Sequence, residues 1–432
     1  MNITVIGTGY VGLVCGSCLA DLGHKVTCID INVSKIRALQ EGKIPFFEPG
    51  LEEKIKKGVL NRKLNFTNSY KVGCKNNIFF LCLDTPSLKS GAADLSKVFS
   101  AVDSIIENIS SDSIVINKST VPLGTTKKIE KKFLKAKDYI IDVCSNPEFL
   151  REGTAIKDFM DPERIIIGSK SESVISIMKK IYHPINKKRN QKIFMSVESA
   201  ELTKYAANCF LATKISFMNE ISILAETHGG NIHEIREGIG SDSRIGSSFL
   251  YAGLGFGGSC FPKDLKALIH EQKKLNLKPG LVANTLKINQ RQLEVFYKKI
   301  THFYKNQLSQ TNLFIWGLSF KPNTDDIRES VAIKLIKKLS PKVNSLTLYD
   351  PLAIANSKKA LSNLSNVKFT RNQYSNFHKA NGLIICTETE DYADPIISEL
   401  QKLKDKVIFD GRNILDKNKI EANNLLYQGI GI

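Results

Sequence analysis

The chain has 432 residues, of which 42% are hydrophobic and 24% charged, and its formal net charge is +18. This composition is typical of a globular protein with two or three domains, and it excludes a disordered, collagen-like or fibrous chain. No stretch approaches the roughly 20 consecutive apolar residues that span a bilayer, and the N-terminal residues lack the pattern of a secretory signal. The nine cysteines show no paired spacing, so we expect free thiols and a cytoplasmic protein.

The positive charge has an ordinary interpretation. Lysines occur in pairs along predicted helices, as in Lys127–Lys128, Lys179–Lys180 and Lys337–Lys338. This spacing is typical of solvated helix faces, and it lacks the interleaved aromatic residues of a single-strand nucleic-acid binder. We therefore expect neither a nucleic acid nor a membrane as a partner.

Apolar runs and helical segments alternate along the first 150 residues. The predicted strands are residues 1–6, 25–30, 77–83, 113–119 and 139–145, and the predicted helices include residues 31–40, 94–109 and 124–134. This alternation indicates a parallel, doubly wound sheet.

The pattern changes near Ser199, where a long helix is predicted as far as about His228. Its apolar residues are spaced for burial: Leu202, Ala206, Phe210, Phe217, Ile221 and Leu224. A glycine-rich segment (252–264) and a further helix (281–300) follow. From Thr311 the alternation returns, with predicted strands at 311–320, 345–350, 382–388 and 406–412 and a predicted helix at 331–339. We therefore expect two doubly wound α/β domains joined by a long central helix, over residues 1–198, 199–300 and 301–432.

A dinucleotide-binding motif opens the chain. Residues 7–12 read Gly-Thr-Gly-Tyr-Val-Gly directly after a predicted strand and before a predicted helix, and Asp30 ends the second strand. Gly7 and Gly9 permit a tight turn against a pyrophosphate, which the helix N-terminus then binds. A carboxylate at position 30 accepts hydrogen bonds from ribose hydroxyls and repels a 2′-phosphate, which favours NAD over NADP.

Cys260 stands apart from the other cysteines. It follows the segment Gly255–Ser259 and precedes Phe-Pro-Lys-Asp, in which Pro262 suits the first turn of a helix. A helix N-terminus and the nearby Lys263 both favour the thiolate, and the glycines allow a ligand to approach the backbone. A thiolate beside an NAD site predicts oxidation through a thiohemiacetal and a thioester, although a structural cysteine in a tight loop is the alternative.

Two polar residues interrupt a small, apolar part of the central helix. Lys204 and Asn208 are four residues apart and therefore project from the same helix face. A solvated edge and a functional pair both account for this pattern.

With these motifs the chain resembles the UDP-glucose/GDP-mannose dehydrogenase family of nucleotide-sugar dehydrogenases. The resemblance covers nearly the whole chain, in the family's order, through residues 7–14, 46–53, 118–126, 145–168, 201–208, 256–264, 317–330 and 410–413. It implies an N-terminal Rossmann domain that binds NAD, a central helix that carries a homodimer interface, and a C-terminal Rossmann-like domain that binds UDP. It also implies oxidation of the C6 hydroxyl of UDP-glucose to a carboxylate.

The resemblance also assigns site residues. It implies Cys260 as the nucleophile, Lys204, Asn208 and Asp264 around the reacting carbon, and Thr120 and Glu148 with Asp264 at the hydrolytic water. The implied cofactor residues are Gly7, Gly9, Tyr10, Val11, Gly12, Asp30, Lys35, Thr85, Thr120, Glu152, Lys263 and Arg328. The implied substrate residues are Glu148, Phe149, Leu150, Arg151, Glu152, Lys204, Asn208, Arg244, Phe249, Leu250, Tyr251, Ala252, Gly253, Gly257, Lys321 and Arg412. No metal ligands are implied.

Two positions depart from the family pattern. Asp84 precedes Thr85-Pro86 where many relatives have a small residue, so this acid either weakens NAD binding or faces solvent. Val331 stands where a proline is usual, which leaves the start of the following helix open. Two alternative functions also stay open, namely a GDP-mannose 6-dehydrogenase and a nucleotide-binding protein without catalysis, although a pure binding protein has no use for a nucleophile.

Overall fold

The computed structural model describes residues 1–136, 138–185 and 191–432, and these divide into two compact units. The first unit comprises Met1–Ala207 and Lys266–Glu271, and the second comprises Asn208–Leu265 and Gln272–Ile432. The division into residues 1–198, 199–300 and 301–432 stays a prediction.

The first unit is built on one sheet, whose strands are β1 (Asn2–Ile6), β2 (Lys25–Ile29), β3 (Leu64–Thr67), β4 (Ile78–Leu81), β5 (Ser113–Asn117), β6 (Ile141–Ser145), β7 (Ile165–Gly168) and β8 (Lys192–Met195). Among the described residues these eight strands have the order β3-β2-β1-β4-β5-β6-β7-β8. Neighbouring strands pair in parallel except β6 and β7, which meet in antiparallel at Ser145 and Gly168.

Helices cover the faces of this sheet, and they are α1 (Tyr10–Asp21), α2 (Val33–Gln40), α3 (Leu51–Leu60), α4 (Tyr70–Gly73), α5 (Ser96–Asn108), α6 (Thr125–Ala136), α7 (Ala155–Met160) and α8 (Glu172–Ile181). Strand β4 is buried on both sides, because Phe80 packs into one apolar cluster and Phe79 into the other. The strand order reverses between β1 and β4, and ligands of doubly wound sheets bind at the carboxyl ends of strands where this reversal occurs.

The second unit repeats the same plan. Its strands are β9 (Asn312–Trp316), β10 (Ser345–Tyr349), β11 (Val367–Phe369), β12 (Gly382–Ile385), β13 (Val407–Asp410) and β14 (Leu426–Gln428). All of this unit is described, and its six strands pair in parallel in the order β11-β10-β9-β12-β13-β14. The reversal of strand order lies between β9 and β12.

The remaining helices are α9 (Val197–His228), α10 (Ile232–Gly240), α11 (Phe261–Lys274), α12 (Leu281–Tyr304), α13 (Val331–Leu339), α14 (Ile354–Ala360), α15 (Ile397–Leu400) and α16 (Lys417–Glu421). Short 3₁₀ segments occur at Lys305–Gln310, Ser340–Lys342, Phe377–Lys379 and Glu390–Tyr392. Helix α13 begins at Val331 without a proline, because the Ser330 hydroxyl accepts a hydrogen bond from the Ile333 amide and caps the helix. The departure at position 331 therefore does not disturb the helix.

The predicted fold class is confirmed, since two doubly wound α/β sheets are present and the 32-residue helix α9 belongs to both units. One expectation about α9 is wrong. Leu202, Phe210, Phe217 and Leu224 are exposed in the single chain, with Phe210 the most exposed of the four at 65%. Their spacing marks an apolar stripe, but no described residue of the chain buries it. Among the described residues no helix is long and apolar enough to cross a bilayer.

The core of the first unit predicts a large effect at Phe80. We expect Phe80→Ala to lower the free energy of unfolding by about 3–5 kcal/mol, because the lost ring leaves a cavity in a packed sheet. Leu60→Ala is the control, since Leu60 is 83% exposed and its loss is expected to change stability by less than about 0.5 kcal/mol. Urea denaturation followed by circular dichroism measures both, and equal effects would contradict the assignment of Phe80 to the core.

Candidate active site and cofactor site

The glycine turn between β1 and α1 has the geometry of a dinucleotide site. Gly7 has φ +94°, and a Cβ on Gly12 would stand 1.8 Å from the Gly7 carbonyl oxygen. These two glycines are needed to form the turn itself. A Cβ on Gly9 would meet the Asp84 carboxylate, whose Oδ1 would be 3.4 Å away, and no side chain among the described residues caps the N-terminus of α1. The amides of Tyr10 and Val11 at this helix start are therefore placed to receive an anionic group.

Asp30 lies at the end of β2 beside this turn. Its Oδ2 accepts hydrogen bonds from the amide and hydroxyl of Thr8 at 3.0 and 2.7 Å and from Lys35 Nζ at 2.9 Å. Burial favours the neutral acid, but the hydrogen bonds from Thr8, Asn32 and Lys35 outweigh it and lower the pKa of Asp30 to about 2. Oδ1 accepts only the Asn32 amide, so this oxygen keeps capacity for a ribose hydroxyl. Lys35 is half-buried, and its ammonium is the hydrogen-bond donor next to the Asp30 carboxylate.

A buried glutamate that the sequence analysis missed joins two loops of the first unit. Glu48 accepts hydrogen bonds from the Tyr10 hydroxyl and from the amides of Gly153 and Ala155, the last two at 2.6 and 2.8 Å. Burial and this carboxylate raise the pKa of Tyr10. Glu48 therefore ties the glycine turn to the segment that follows Glu148–Glu152. Its place in Phe-Phe-Glu-Pro-Gly-Leu was visible in the sequence, but its partners were not.

The loops after β4 and β5 meet through a short hydrogen bond. The hydroxyl of Thr85, which is buried, donates to the Thr120 carbonyl at 2.6 Å. The Asp84 side chain is 66% exposed, and its carboxylate lies 3.5 Å from Lys97 Nζ. It also lies beside the glycine turn, because its Oδ1 would stand 3.4 Å from a Cβ on Gly9, so both interpretations of Asp84 stay open.

Glu148 and Lys204 form a buried ion pair in the first unit. Lys204 Nζ donates to Glu148 Oε1 at 3.0 Å, and both side chains are less than 10% exposed. Burial alone favours the neutral acid, but the charge of Lys204 and the amide of Leu150 lower the pKa of Glu148 overall. Lys204 also lies 5.2 Å from the centre of the Phe149 ring. Glu148 is therefore an ionised hydrogen-bond acceptor and a weak base.

Residues 150–152 turn from this pair towards α7. Arg151 is exposed, and its guanidinium and amide are held by Asp158, which lies in α7. Leu150 and Glu152 are half-buried. The charge of Glu152 contributes to the raised pKa of Tyr10, so this residue faces the glycine turn.

Cys260 occupies the N-terminus of α11 in the second unit. Its carbonyl accepts the Asp264 amide at 2.9 Å, which makes Cys260 the residue that caps the helix. All nine cysteines are in the described part of the chain, and eight are buried whereas Cys260 is partly exposed. Burial raises the pKa of Cys74 to about 11 and that of Cys144 to about 12, so these thiols stay protonated. The helix N-terminus favours the thiolate of Cys260.

Asp264 lies one turn into α11 and is almost fully buried. Its Oδ2 accepts from Asn208 Nδ2 at 2.6 Å, and its Oδ1 accepts from Lys263 Nζ at 2.8 Å. The structure thus brings Asn208, Lys263 and Asp264 together at the helix that Cys260 caps. Lys263 is paired with Asp264 and not with the thiol.

The glycines before Cys260 make room for the protein itself. A Cβ on Gly257 would stand 2.4 Å from the Glu329 carbonyl oxygen, and one on Gly258 would stand 2.6 Å from the Phe320 ring. Asn289 holds the backbone of Phe256 with hydrogen bonds to both its amide and its carbonyl. Protein atoms therefore occupy the side of Gly257 and Gly258 where a Cβ would lie. The expectation that these glycines let a ligand approach the backbone is wrong for that side.

Arg412 follows β13 and supports the same segment. Its Nε donates to the Cys386 carbonyl at 2.8 Å and its Nη1 to the Gly255 carbonyl at 3.3 Å, and Glu388 lies 3.2 Å from Nε. Ala252 and Gly253 are buried, and the Gly253 amide donates to Asn219 Oδ1. Arg412 is therefore largely committed to protein partners.

The remaining predicted residues of the second unit are spread along its surface loops. Arg244 is exposed and pairs with Asp242, and Arg328 is exposed and pairs with Asp326. Phe249 has φ +64°, a backbone conformation that costs energy for a residue with a Cβ, while Leu250 beside it is buried. Tyr251 is exposed, with the Arg236 guanidinium 3.9 Å above its ring. Lys321 follows β9 at the reversal of strand order.

Comparison with family models covers most of the chain. Three models match in order: "UDP-glucose/GDP-mannose dehydrogenase family, NAD binding domain" over residues 1–186, the family's central domain over 198–291, and its UDP binding domain over 314–417. The chain belongs to the UDP-glucose/GDP-mannose dehydrogenase family. The predicted family, enzyme class and NAD cofactor are thereby confirmed.

Individual relatives of the family agree with this. The UDP-glucose 6-dehydrogenase TuaD of Bacillus subtilis (strain 168) is 40% identical, over 100% of this chain and 93% of the relative. A UDP-glucose 6-dehydrogenase of Rhizobium meliloti (strain 1021) is 38% identical, over 100% and 99%. A solved UDP-glucose dehydrogenase from Pyrobaculum islandicum has a TM-score of 0.91 and 33% identity, and the match covers 100% of this chain and 97% of that one.

The residues of the glycine turn fit the cofactor of this family. No described side chain caps the start of α1, Gly9 leaves space there that Asp84 Oδ1 borders, and Asp30 keeps an acceptor oxygen. When bound, NAD supplies a hydride acceptor. With NAD bound, the amides of Tyr10 and Val11 would hold the diphosphate and Asp30 would hold the ribose.

The ribose site predicts a change of cofactor preference at Asp30. We expect Asp30→Ala to weaken NAD binding about 10- to 100-fold, because a charged acceptor is lost. It also frees Lys35 from its ion pair, so binding of NADP should weaken less than that of NAD. Lys35→Met is the matched control, which removes the cation and should leave the preference for NAD in place. Isothermal titration with both nucleotides tests this, and an unchanged NAD affinity in Asp30→Ala would remove Asp30 from the site.

Proposed function

We propose that the protein oxidises the C6 hydroxyl of UDP-glucose to a carboxylate, forming UDP-glucuronate and consuming two NAD and one water per turnover. The observation that carries this proposal is the position of Cys260 at the N-terminus of α11, where its carbonyl accepts the Asp264 amide. Cys260 is the one partly exposed thiol among nine cysteines. The names of the similar proteins and the description of the UDP binding domain support UDP-glucose as the substrate.

The chemistry requires that one carbon be oxidised twice. The first oxidation removes a hydride from C6 and the proton of its hydroxyl, leaving an aldehyde. The Cys260 thiolate then forms a C–S bond to the aldehyde carbon, and the oxygen takes up a proton to give a thiohemiacetal. Loss of a second hydride and of that hydroxyl proton gives a thioester. Addition of water breaks the C–S bond and releases the carboxylate and the thiol.

The other polar groups that the resemblance assigns have separate parts in this scheme. We assign Lys204 and Asn208 to stabilising the oxygen that gains negative charge, because an ammonium and an amide N–H are both donors. Asp264, held by Asn208 and Lys263, is assigned to the water that hydrolyses the thioester, together with Thr120. Since its pKa is lowered, Glu148 is assigned to orienting a proton donor and not to removing a proton.

The thiol provides the sharpest test. We expect Cys260→Ser and Cys260→Ala to lower steady-state NADH formation with UDP-glucose by at least about 10³-fold, as loss of a covalent nucleophile does elsewhere. The serine variant should retain a covalent ester that intact mass spectrometry detects as the added substrate acyl group. Cys74→Ala is the control, because Cys74 is buried and outside the site, and its turnover should be nearly unchanged. Near wild-type release of glucuronate by both Cys260 variants would refute the covalent mechanism.

A substrate panel separates the remaining alternatives. NADH formation with UDP-sugars alone supports the proposal, while activity with GDP-mannose alone indicates the sister activity. A protein that binds nucleotides without catalysis would yield no NADH from any of them.

We further infer that a second copy of the chain covers the apolar stripe of α9, which is Leu202, Phe210, Phe217 and Leu224. A monomer rarely leaves such a contiguous apolar surface in water, and one helix stripe can pair with itself across a two-fold axis. The protein is then a homodimer or a higher homo-oligomer.

The oligomeric state tests this inference. We expect wild-type protein to sediment at twice the 48.1 kDa chain mass or more, and Phe210→Glu with Phe217→Glu to sediment as the single chain. Leu134→Glu is the control, since Leu134 is a 69% exposed leucine on α6 and away from the stripe. A wild-type protein that sediments as a single chain would contradict the inference.

A further inference from the structure

Lys118 is a buried ammonium outside the set of residues discussed so far. It follows Asn117 at the carboxyl end of β5 and is 5% exposed. Among the described residues, no carboxylate lies within ion-pair distance of its Nζ, which donates to Asn146 Oδ1 at 3.2 Å and lies 5.9 Å from the Phe159 ring. A buried charge without a paired carboxylate costs more free energy than an apolar side chain of similar shape. Packing alone therefore gives no reason for a lysine here.

The partner of Lys118 anchors the segment that carries Glu148. Asn146 Oδ1 accepts from Lys118 and from the Tyr182 hydroxyl at 2.7 Å, and its Nδ2 donates to the Ile166 carbonyl at 2.7 Å. Its amide donates to the Asn117 carbonyl at 2.8 Å. The side chain is thus held by β5, by β7 and by the residue after α8. Asn146 precedes Glu148 by two residues, so this network sets where the carboxylate lies.

Lys118 also acts on Glu148 through its charge. The charged groups that act on Glu148 are Lys204 from α9 and Lys118 from the end of β5. The guanidinium of Arg164 lies 4.1 Å from the ring of the adjacent Phe149. Cys144 in β6 is buried and its pKa is raised to about 12, so it carries no charge near neutral pH. Lys204 and Lys118 both lower the pKa of Glu148. The positive charges of two buried ammonium groups therefore act on one buried carboxylate.

We propose that Lys118 is a positioning residue for the oxidation, which fixes residues 146–150 through Asn146 and keeps a second positive charge facing Glu148. The proposal rests on the proposed function, because it gives Lys118 a part at the same site. With two ammonium groups present, Glu148 stays ionised without neutralising the field of Lys204. Lys204 then retains positive charge for the oxygen that becomes negative in the reaction.

The test separates the charge of Lys118 from its hydrogen bond. Lys118→Met removes both, Lys118→Gln keeps a donor to Asn146 without the charge, and Tyr182→Phe removes the other hydrogen bond to Asn146 without changing any charge. We measure kcat and kcat/KM for UDP-glucose as a function of pH, the NAD dissociation constant by titration, and the melting temperature. The second and third readouts report whether each variant keeps a folded first unit.

The sign of the expected shift follows from the charge. Lys118 lowers the pKa of Glu148, so its removal raises that pKa, and activity that needs ionised Glu148 is lost at a higher pH. We expect the acidic limb of kcat to move up by about one pH unit in Lys118→Met and Lys118→Gln, with NAD affinity unchanged. In Tyr182→Phe kcat falls but the limb stays in place.

Each outcome decides the proposal. An acidic limb that stays in place in Lys118→Gln, with NAD affinity and melting temperature retained, overturns it, as does a limb that moves equally in Tyr182→Phe. If Lys118→Met does not fold, Lys118→Gln and Tyr182→Phe still give the comparison. A wild-type protein that forms no NADH from UDP-glucose contradicts the proposed function instead, and the present inference falls with it.

Discussion

The buried ion pair between Lys204 and Glu148 joins two segments of the first unit on which its other contacts build. Burying either charge without the other costs free energy, and the separation of 3.0 Å holds helix α9 against the segment that follows β6. Glu201, one helical turn earlier on α9, adds a second constraint, because its carboxylate accepts the amides of Gly124 and Thr126 at the start of α6. Together they hold the segment after β6 and the start of α6 against helix α9.

The two units use the same device to shape their nucleotide turns. In the first, Asp30 at the end of β2 accepts the amide and hydroxyl of Thr8 after β1. In the second, Asp350 after β10 accepts the amide and hydroxyl of Ser319 after β9. The second acid differs in its other oxygen, which is occupied by the amides of Leu352 and Ala353. Asp350 is therefore a structural acid, whereas Asp30 retains an oxygen for a ribose.

Much of this architecture could be predicted from residue patterns. The long apolar runs predicted β1, β2, β4, β5 and β6, because strands buried on both faces contain little else. Five strands were missed, namely β3, β7, β8, β11 and β14. The edge strands β3, β8, β11 and β14 have three or four residues of mixed polarity, which carry no recognisable period, and β7 is apolar but only four residues long. The residues of the stripe on α9 were predicted to be apolar and spaced for burial, and four of them are exposed in the single chain, because periodicity identifies a face without identifying what covers it.

Among the site residues, the sequence by itself determined the dinucleotide turn, the acid at position 30 and the singular context of Cys260, because each depends on local backbone geometry. Only the tertiary structure decided what the distant groups do. It paired Lys263 with Asp264, placed the Asp84 carboxylate beside Gly9, and filled the space beside Gly257 with the Glu329 carbonyl. Glu48 and Lys118 gained their partners in the same way, from segments up to 107 residues away in the sequence. Such contacts depend on which strands lie side by side in the sheet, and strand order is not encoded in any local pattern.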